Sequence, residues 1–163
     1  MLIDVHCHIE NYEDLDEVVK GCDVIINNGS TKESLKQSLA VSKKYKHVKV
    51  ALGVLSCEIP DWSQKDFDWI AKQKMIAVGE IGMDGTYPDL DKQEKWFRKF
   101  LELALEKDLP VIVHTRKAEK RIIEILEEMK VKKVVLHCFC GGFKLIDRAL
   151  ANKWYFSVPT SVV

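Results

Sequence analysis

The middle of the chain reads IAVGE at residues 76–80, DKQEKWFRKFLELALEK at 91–107 and VIVH at 111–114. The two short runs are rich in Val and Ile and lack strict polar alternation, which is typical of parallel strands buried on both faces. Between them, large apolar residues from Trp96 to Leu105 recur at helical spacing, which predicts an amphipathic helix packed on the sheet. This stretch therefore predicts one β–α–β unit.

The same alternation of short apolar runs and longer charged segments extends over the whole chain, which favours an α/β fold with a parallel sheet. The predicted strands are Leu2–His6, Val24–Asn28, Val48–Val54, Ile76–Glu80, Val111–His114, Val134–His137 and Trp154–Val158. The predicted helices are Tyr12–Lys20, Lys32–Lys44, Gln64–Gln73, Asp91–Lys107, Ala118–Met129 and Phe143–Ala151. About seven strands are expected, whereas a closed (β/α) barrel needs eight. The pattern predicts an open sheet or a barrel without its eighth strand.

Bulk composition limits the class of protein. The 163 residues are 47% hydrophobic and carry no net charge, so one folded domain over 1–163 is expected, with no global attraction to nucleic acid or to a membrane surface. No apolar run is long enough for a transmembrane helix, and no secretory signal is recognised, so the expected location is cytoplasmic. Five cysteines without paired CxxC spacing favour reduced thiols.

Four histidines and one glutamate lie at or near the ends of predicted strands. They are His6, His8, Glu80, His114 and His137. The fifth histidine, His47, lies in a lysine-rich segment and is expected to be a solvated loop residue. Because the carboxyl ends of parallel strands meet at one rim of a barrel, the five side chains are predicted to converge there. Imidazole and carboxylate suit Zn²⁺, Mn²⁺ or Mg²⁺, so we expect one or two divalent ions per chain, of unspecified identity.

Four short motifs, in order along the chain, resemble the TatD-type metal-dependent hydrolases of the amidohydrolase superfamily. They are Ile3-Asp4-Val5-His6-Cys7-His8, Gly79-Glu80-Ile81-Gly82-Met83-Asp84, Pro110-Val111-Ile112-Val113-His114-Thr115-Arg116 and Leu136-His137-Cys138-Phe139. The resemblance implies a TIM-like (β/α) barrel that hydrolyses phosphodiester bonds, often as a deoxyribonuclease or 3′→5′ exonuclease. It also implies that His6 and His8 hold one ion and that Glu80 bridges two. His114 and His137 are then implied to hold the second.

Further polar residues near these motifs are candidates for substrate contacts. Arg116 follows His114 by two residues, and a guanidinium beside a metal site suits a phosphate oxygen, so we predict a catalytic or substrate-binding role. Asp84 is either a partner of the metal ligands or a turn cap. Gly141 opens a predicted helix whose backbone N–H groups are suited to phosphate. Asp4 is expected to face the same way as His6 and either to orient it or to pair inside the barrel.

Two departures from the family pattern leave alternative functions open. The family closes strand eight with a metal-binding Asp, and this chain ends before that strand, so it resembles a family domain truncated at its C-terminus. The family's Gly-x-His-Pro-His segment reads Gly53-Val54-Leu55-Ser56-Cys57 here and lacks both histidines. DNA or another phosphodiester is the expected substrate, with no membrane partner and no prediction of oligomeric state. The alternatives are hydrolysis of an amide, ester or lactone, and a non-catalytic metal-binding fragment.

Overall fold

A computed structural model describes residues 1–158 and contains seven parallel strands. The strands are β1 (Ile3–Cys7), β2 (Val24–Gly29), β3 (Val48–Leu52), β4 (Ala77–Asp84), β5 (Val111–Arg116), β6 (Val134–His137) and β7 (Tyr155–Phe156). The helices are α1 (Leu15–Val18), α2 (Lys32–Lys44), α3 (Gln64–Ala71), α4 (Leu90–Glu106), α5 (Glu119–Glu128) and α6 (Phe143–Ala151). Short 3₁₀ turns cover Ile9–Asn11, Val19–Gly21 and Ser56–Asp61.

The strands lie in one sheet in the order of the sequence, from β1 to β7, and every pair is parallel. Neighbouring strands are about 4.8 Å apart, so β1 and β6 would be more than about 20 Å apart in a flat sheet. Instead the rings of His6 on β1 and His137 on β6 stack with centroids 3.5 Å apart. The sheet is therefore curled into an incomplete TIM-like barrel, as the sequence predicts.

The two faces of the curled sheet bury different side chains. On the outer face, β-strand residues such as Leu52, Val78 and Val113 form one cluster with helix residues such as Phe97 and Phe100. On the inner face, a smaller cluster fills the barrel, as expected for a packed barrel interior. Its members are Ala51, Ala77 and Ile112, with Ile26 and Val135 beside them. Because side chains alternate along a strand, His114 lies on the same inner face as Ile112.

Irregular pairing in β1 and β4 changes which face their later residues use. On β4, Val78 pairs with Val111 and Ile81 pairs with Val113, so β4 has one residue more than β5 over this interval. β1 has a similar irregularity between Asp4 and Cys7. Strict alternation would place Glu80 on the same outer face as Val78, and the extra residue turns it to the inner face. Bulges of this kind re-aim side chains next to functional sites.

Several element boundaries differ from those predicted. The helix predicted over Tyr12–Lys20 is a single turn, Leu15–Val18. It begins after Asp14, whose side chain accepts a hydrogen bond from the Glu17 N–H, and it ends where the chain changes to a 3₁₀ turn at Val19. β4 and β5 continue past the predicted ends at Glu80 and His114, whereas β3 and β7 are shorter than predicted.

No helix among residues 1–158 is long and apolar enough to cross a bilayer. Residues 159–163 lie outside the described residues, and a single domain over 1–163 stays a prediction.

Candidate metal centre

All five predicted ligands meet at the carboxyl-terminal rim of the barrel, which is where side chains from different parallel strands converge. The five residues occupy three kinds of position on the strands. His6 lies on β1, and His8 is the residue directly after that strand. Glu80 and His114 lie inside β4 and β5, and His137 is the last residue of β6. His114 and His137 are also directly paired across β5 and β6. The convergence therefore follows from strand register as well as from strand ends.

Glu80 is the centre of this cluster. One carboxylate oxygen, Oε2, lies 3.2 Å from His6 Nε2 and 3.7 Å from His8 Nε2. The other oxygen, Oε1, lies 3.0 Å from His114 Nδ1. The two histidines of β1 are themselves close, with Nε2 atoms 3.1 Å apart. The Glu80 side chain is only 4% exposed, and its two oxygens face different imidazoles, those of His6 and His8 on one side and that of His114 on the other.

The charges of the cluster are mutually dependent. Burial alone raises the pKa of the Glu80 carboxyl, but hydrogen bonds from His114, His6 and His8 outweigh it and hold that pKa well below its usual range. Hydrogen bonds to Glu10 and Glu80 raise the pKa of His8 to about 10. Burial and the neighbouring His6 lower the pKa of His137 to about 4. The contacts between carboxylates and imidazoles thus favour the charged forms of Glu80 and His8, whereas burial favours the neutral form of His137.

Asp84 fixes the side of the cluster that contains His114. Its Oδ2 lies 3.3 Å from His114 Nε2, so both ring nitrogens of His114 face carboxylates. Its Oδ1 accepts hydrogen bonds from the Thr86 backbone N–H (2.8 Å) and from the Thr86 hydroxyl (2.6 Å). Both readings of Asp84 left open by the sequence, ligand partner and turn cap, therefore describe contacts that exist. This partner orients the His114 ring.

Glu10 and Asn27 belong to the site and were missed by sequence reasoning. Glu10 Oε1 lies 3.7 Å from His8 Nδ1, and its side chain is 7% exposed. Asn27 Nδ2 donates to Glu10 Oε2 at 2.8 Å and to Ser38 Oγ at 2.7 Å, while Asn27 Oδ1 accepts from the Ile9 N–H at 2.7 Å. Glu10 follows its strand in a 3₁₀ turn, so no periodic pattern marks it in the sequence.

Replacing Asn27 with Ala is expected to lower the free energy of unfolding by roughly 2–3 kcal/mol, because the buried Ile9 N–H and the Glu10 carboxylate lose their partner. Urea denaturation measures this change. The control is Asn152→Ala, since Asn152 is exposed and its side-chain amide donates to Glu127 Oε1 and to the Arg148 carbonyl oxygen on the surface. Equal, small losses in both variants would contradict the role assigned to Asn27.

His137 forms the far wall of the cluster and is held from two sides. Its ring stacks on His6 at an interplanar angle of 16°. Ser157 Oγ lies 2.9 Å from His137 Nδ1 and also accepts a hydrogen bond from the Cys138 backbone N–H at 3.3 Å. On the other side of the ring, Nε2 lies 3.1 Å from Cys138 Sγ. Ser157 is a further member of the site that no sequence motif marks.

The donor set fits a divalent metal. His6, His8 and Glu80 each offer one ligand atom, and these atoms lie within 4.8 Å of one another. Two imidazoles and a carboxylate are a ligand set used by Zn²⁺.

His6 Nδ1 is buried without a hydrogen-bond partner among the described residues. His6 is therefore not oriented by Asp4, whose Oδ1 instead accepts the His6 backbone N–H at 3.0 Å.

The cluster opens into a cavity of ≈480 Å³ at the barrel rim. It is lined by His6, His8, Leu55, Glu80, His114, Thr115, Arg116, Glu119, His137, Cys138 and Cys140. Arg116, the last residue of β5, is exposed in this wall.

Gly141 does not line the cavity and packs against the Phe139 ring, which would lie 2.4 Å from an added Cβ. Outside the site, His47 is half-buried and its Nε2 lies 2.8 Å from Val19 O.

Comparison with known protein families gives a match over nearly the whole chain. The family model described as "TatD related DNase" matches residues 3–163. In the structural comparison, the TatD homologue YJJV from Escherichia coli K12 superimposes with a TM-score of 0.84 at 24% identity, covering 95% of this chain and 66% of that one. At this identity the superposition establishes the fold alone.

Two sequence relatives have names that describe a hydrolase or a nuclease. The metal-dependent hydrolase MJ1582 of Methanocaldococcus jannaschii is 33% identical over 172 residues, which cover 98% of this chain and 68% of the relative. Human deoxyribonuclease TATDN3 is 29% identical over 189 residues, which cover 99% of this chain and 69% of the relative. The chain thus spans about two thirds of the length of the relatives that it matches.

Proposed function

This chain belongs to the family of TatD-related DNases, a family of metal-dependent hydrolases, and on that premise we propose that it hydrolyses phosphodiester bonds in DNA. The observation that supports the proposal is the position of Glu80, whose two oxygens face His6 and His8 on one side and His114 on the other. A carboxylate shared in this way is suited to two neighbouring metal positions.

Each residue of the site has a separate task in this proposal. His6, His8 and Glu80 would hold one divalent ion, and Glu80, His114 and His137 would hold a second. Bound metal supplies a water of lowered pKa and charge neutralisation at the phosphate. Asp84 keeps the His114 ring in place through its own contact at 3.3 Å. Arg116 is exposed and lines the cavity, and its guanidinium would pair with a phosphate oxygen of the substrate.

Arg116→Ala is expected to lower kcat/KM for a DNA oligonucleotide by about tenfold or more, mainly through KM, because hydrogen bonds to charged groups contribute about 1.5–3 kcal/mol. Hydrolysis of a neutral chromogenic ester should change little. Lys120→Ala is the matched control because it also removes one positive charge. The Lys120 side chain is 79% exposed and does not line the cavity. An equal loss in both variants, or an equal loss on both substrates, would contradict a phosphate contact at Arg116.

A second candidate is hydrolysis of a carboxylic ester, amide or lactone at the same centre. Leu55 favours it, because an apolar side chain stands in the cavity wall and offers a phosphate no hydrogen bond. Assays of metal-loaded protein on single- and double-stranded oligonucleotides, beside chromogenic esters and lactones, decide between the candidates. Cleavage of esters without cleavage of DNA would overturn the phosphodiester proposal. Metal binding without hydrolysis of any of these substrates would support a non-catalytic metal-binding role.

A further inference from the structure

Cys138 is a thiol that lies beside a predicted metal ligand and has no part in the proposed function. Its Sγ is 3.1 Å from Nε2 of His137, the residue that precedes it in sequence. Both side chains line the same cavity as Glu80 and His114. The thiol therefore lies on the His137 side of this cavity.

The contact to Cys138 is made by Nε2 of the His137 ring. Nδ1 of His137 is already engaged by Ser157 Oγ at 2.9 Å, which leaves Nε2 to contact Cys138 Sγ. The same Ser157 oxygen accepts the Cys138 N–H at 3.3 Å, so one hydroxyl holds both the ring and the backbone that bears the thiol. A partner that fixes ring and chain in this way is typical of the groups that orient metal ligands.

The spacing of the two donor atoms is close to that of a ligand pair. Imidazole nitrogen and thiolate sulfur bound to one Zn²⁺ lie roughly 3.6 Å apart, from bond lengths of about 2.0–2.1 and 2.3 Å. The observed 3.1 Å is within a small side-chain rotation of that separation. We propose that Cys138 Sγ joins His137 Nε2 as a metal ligand, so that this side of the site prefers a thiophilic ion such as Zn²⁺ to Mg²⁺.

A sulfur ligand at this site would determine which divalent ion binds more tightly. Thiolate sulfur binds Zn²⁺ strongly, whereas Mg²⁺ takes oxygen ligands and retains water. On binding, the Cys138 thiol gives up its proton to solvent and no electron transfer is involved. The inference rests on the proposed function only in requiring that a divalent ion occupies the centre.

The other thiols of the chain lie in different surroundings. Cys7 packs with the cluster of Ile9, Val19 and Ile25. Cys57 is exposed and does not line the cavity, so it provides a matched control. Cys140 lines the cavity, but its Sγ is 3.3 Å from the Cys138 carbonyl oxygen and faces solvent. Cys138 is thus the thiol in direct contact with an imidazole nitrogen among the described residues.

Absorption of the Co²⁺-loaded protein tests the inference without any assay of activity. Metal-free wild type, Cys138→Ser, Cys140→Ser and Cys57→Ser are titrated with Co²⁺, after circular dichroism has established that each variant is folded. We expect a near-ultraviolet sulfur-to-cobalt charge-transfer band in wild type, Cys57→Ser and Cys140→Ser, and its loss in Cys138→Ser. We also expect Cys138→Ser to lower Zn²⁺ affinity about tenfold or more and to leave Mg²⁺ affinity nearly unchanged.

The outcomes separate this inference from the proposed function. Visible cobalt ligand-field bands without a charge-transfer band would leave a metal centre in place and overturn the role of Cys138. A charge-transfer band that persists in Cys138→Ser and disappears in Cys140→Ser would also overturn it. Failure of wild type to bind Co²⁺ and Zn²⁺ would overturn both the inference and the metal centre on which the proposed function depends.

Discussion

Glu80→Gln is expected to lower the affinity for divalent metal by more than about a hundredfold, and to remove the proposed hydrolysis with it. Changes at groups that merely orient a ligand typically cost 10–100-fold in metal affinity, and Glu80 contacts imidazoles through both of its oxygens. The amide replaces one oxygen by NH₂, a donor that faces imidazoles and cannot bind a metal. Titration calorimetry with Zn²⁺ or Mn²⁺ measures the loss directly.

Thermal unfolding gives an independent measure of the same effect. A metal that binds the folded protein alone raises Tm, because binding stabilises the native state by mass action. We expect this rise in wild type and its absence in Glu80→Gln. The matched control is Glu119→Gln, since Glu119 lines the same cavity and accepts a hydrogen bond from the Lys117 backbone N–H rather than from an imidazole. Unchanged metal affinity in Glu80→Gln, or equal losses in the two variants, would contradict the central position of Glu80.

Gly82→Ala is expected to destabilise the protein by more than about 4 kcal/mol, a range reached only through steric conflict or loss of buried partners. Gly82 has φ 153° and pairs with His114 in the neighbouring strand. A Cβ at this position would lie 2.0 Å from the His114 carbonyl oxygen and 2.9 Å from its carbonyl carbon. Both are backbone atoms, so the clash cannot be relieved by rotating a side chain. β4 and β5 must separate where they hold Glu80 and His114.

Gly21→Ala is the control for this substitution. An added Cβ at Gly21 meets nothing within 4 Å, so its effect should lie within about 0.5 kcal/mol. Urea denaturation of the metal-free proteins compares the two, and metal titration of Gly82→Ala reports on the site. A stable, metal-binding Gly82→Ala protein would show that β4 and β5 need not approach so closely.

The order of strands and helices was predictable because it depends on local pattern. Each buried strand is a Val- and Ile-rich run and each main helix has an apolar stripe, and neither signal requires knowledge of distant residues. The prediction failed where local signals are weak. The four-residue α1 is too short for a periodic pattern, and strands β4 and β5 continue through Asp84 and Arg116, beyond their apolar runs.

The sequence by itself determined which side chains are available at the rim, since parallel strands bring their carboxyl ends together. Only the tertiary structure decided how those side chains face one another. The extra residue in β4 turns Glu80 to the inner face, against the alternation of the strand, and the curling of the sheet stacks His6 on His137. The support from Glu10, Asn27 and Ser157 is equally non-local, because it joins residues that are distant in sequence. Bulges and curvature arise from packing between strands, so no window of sequence specifies them.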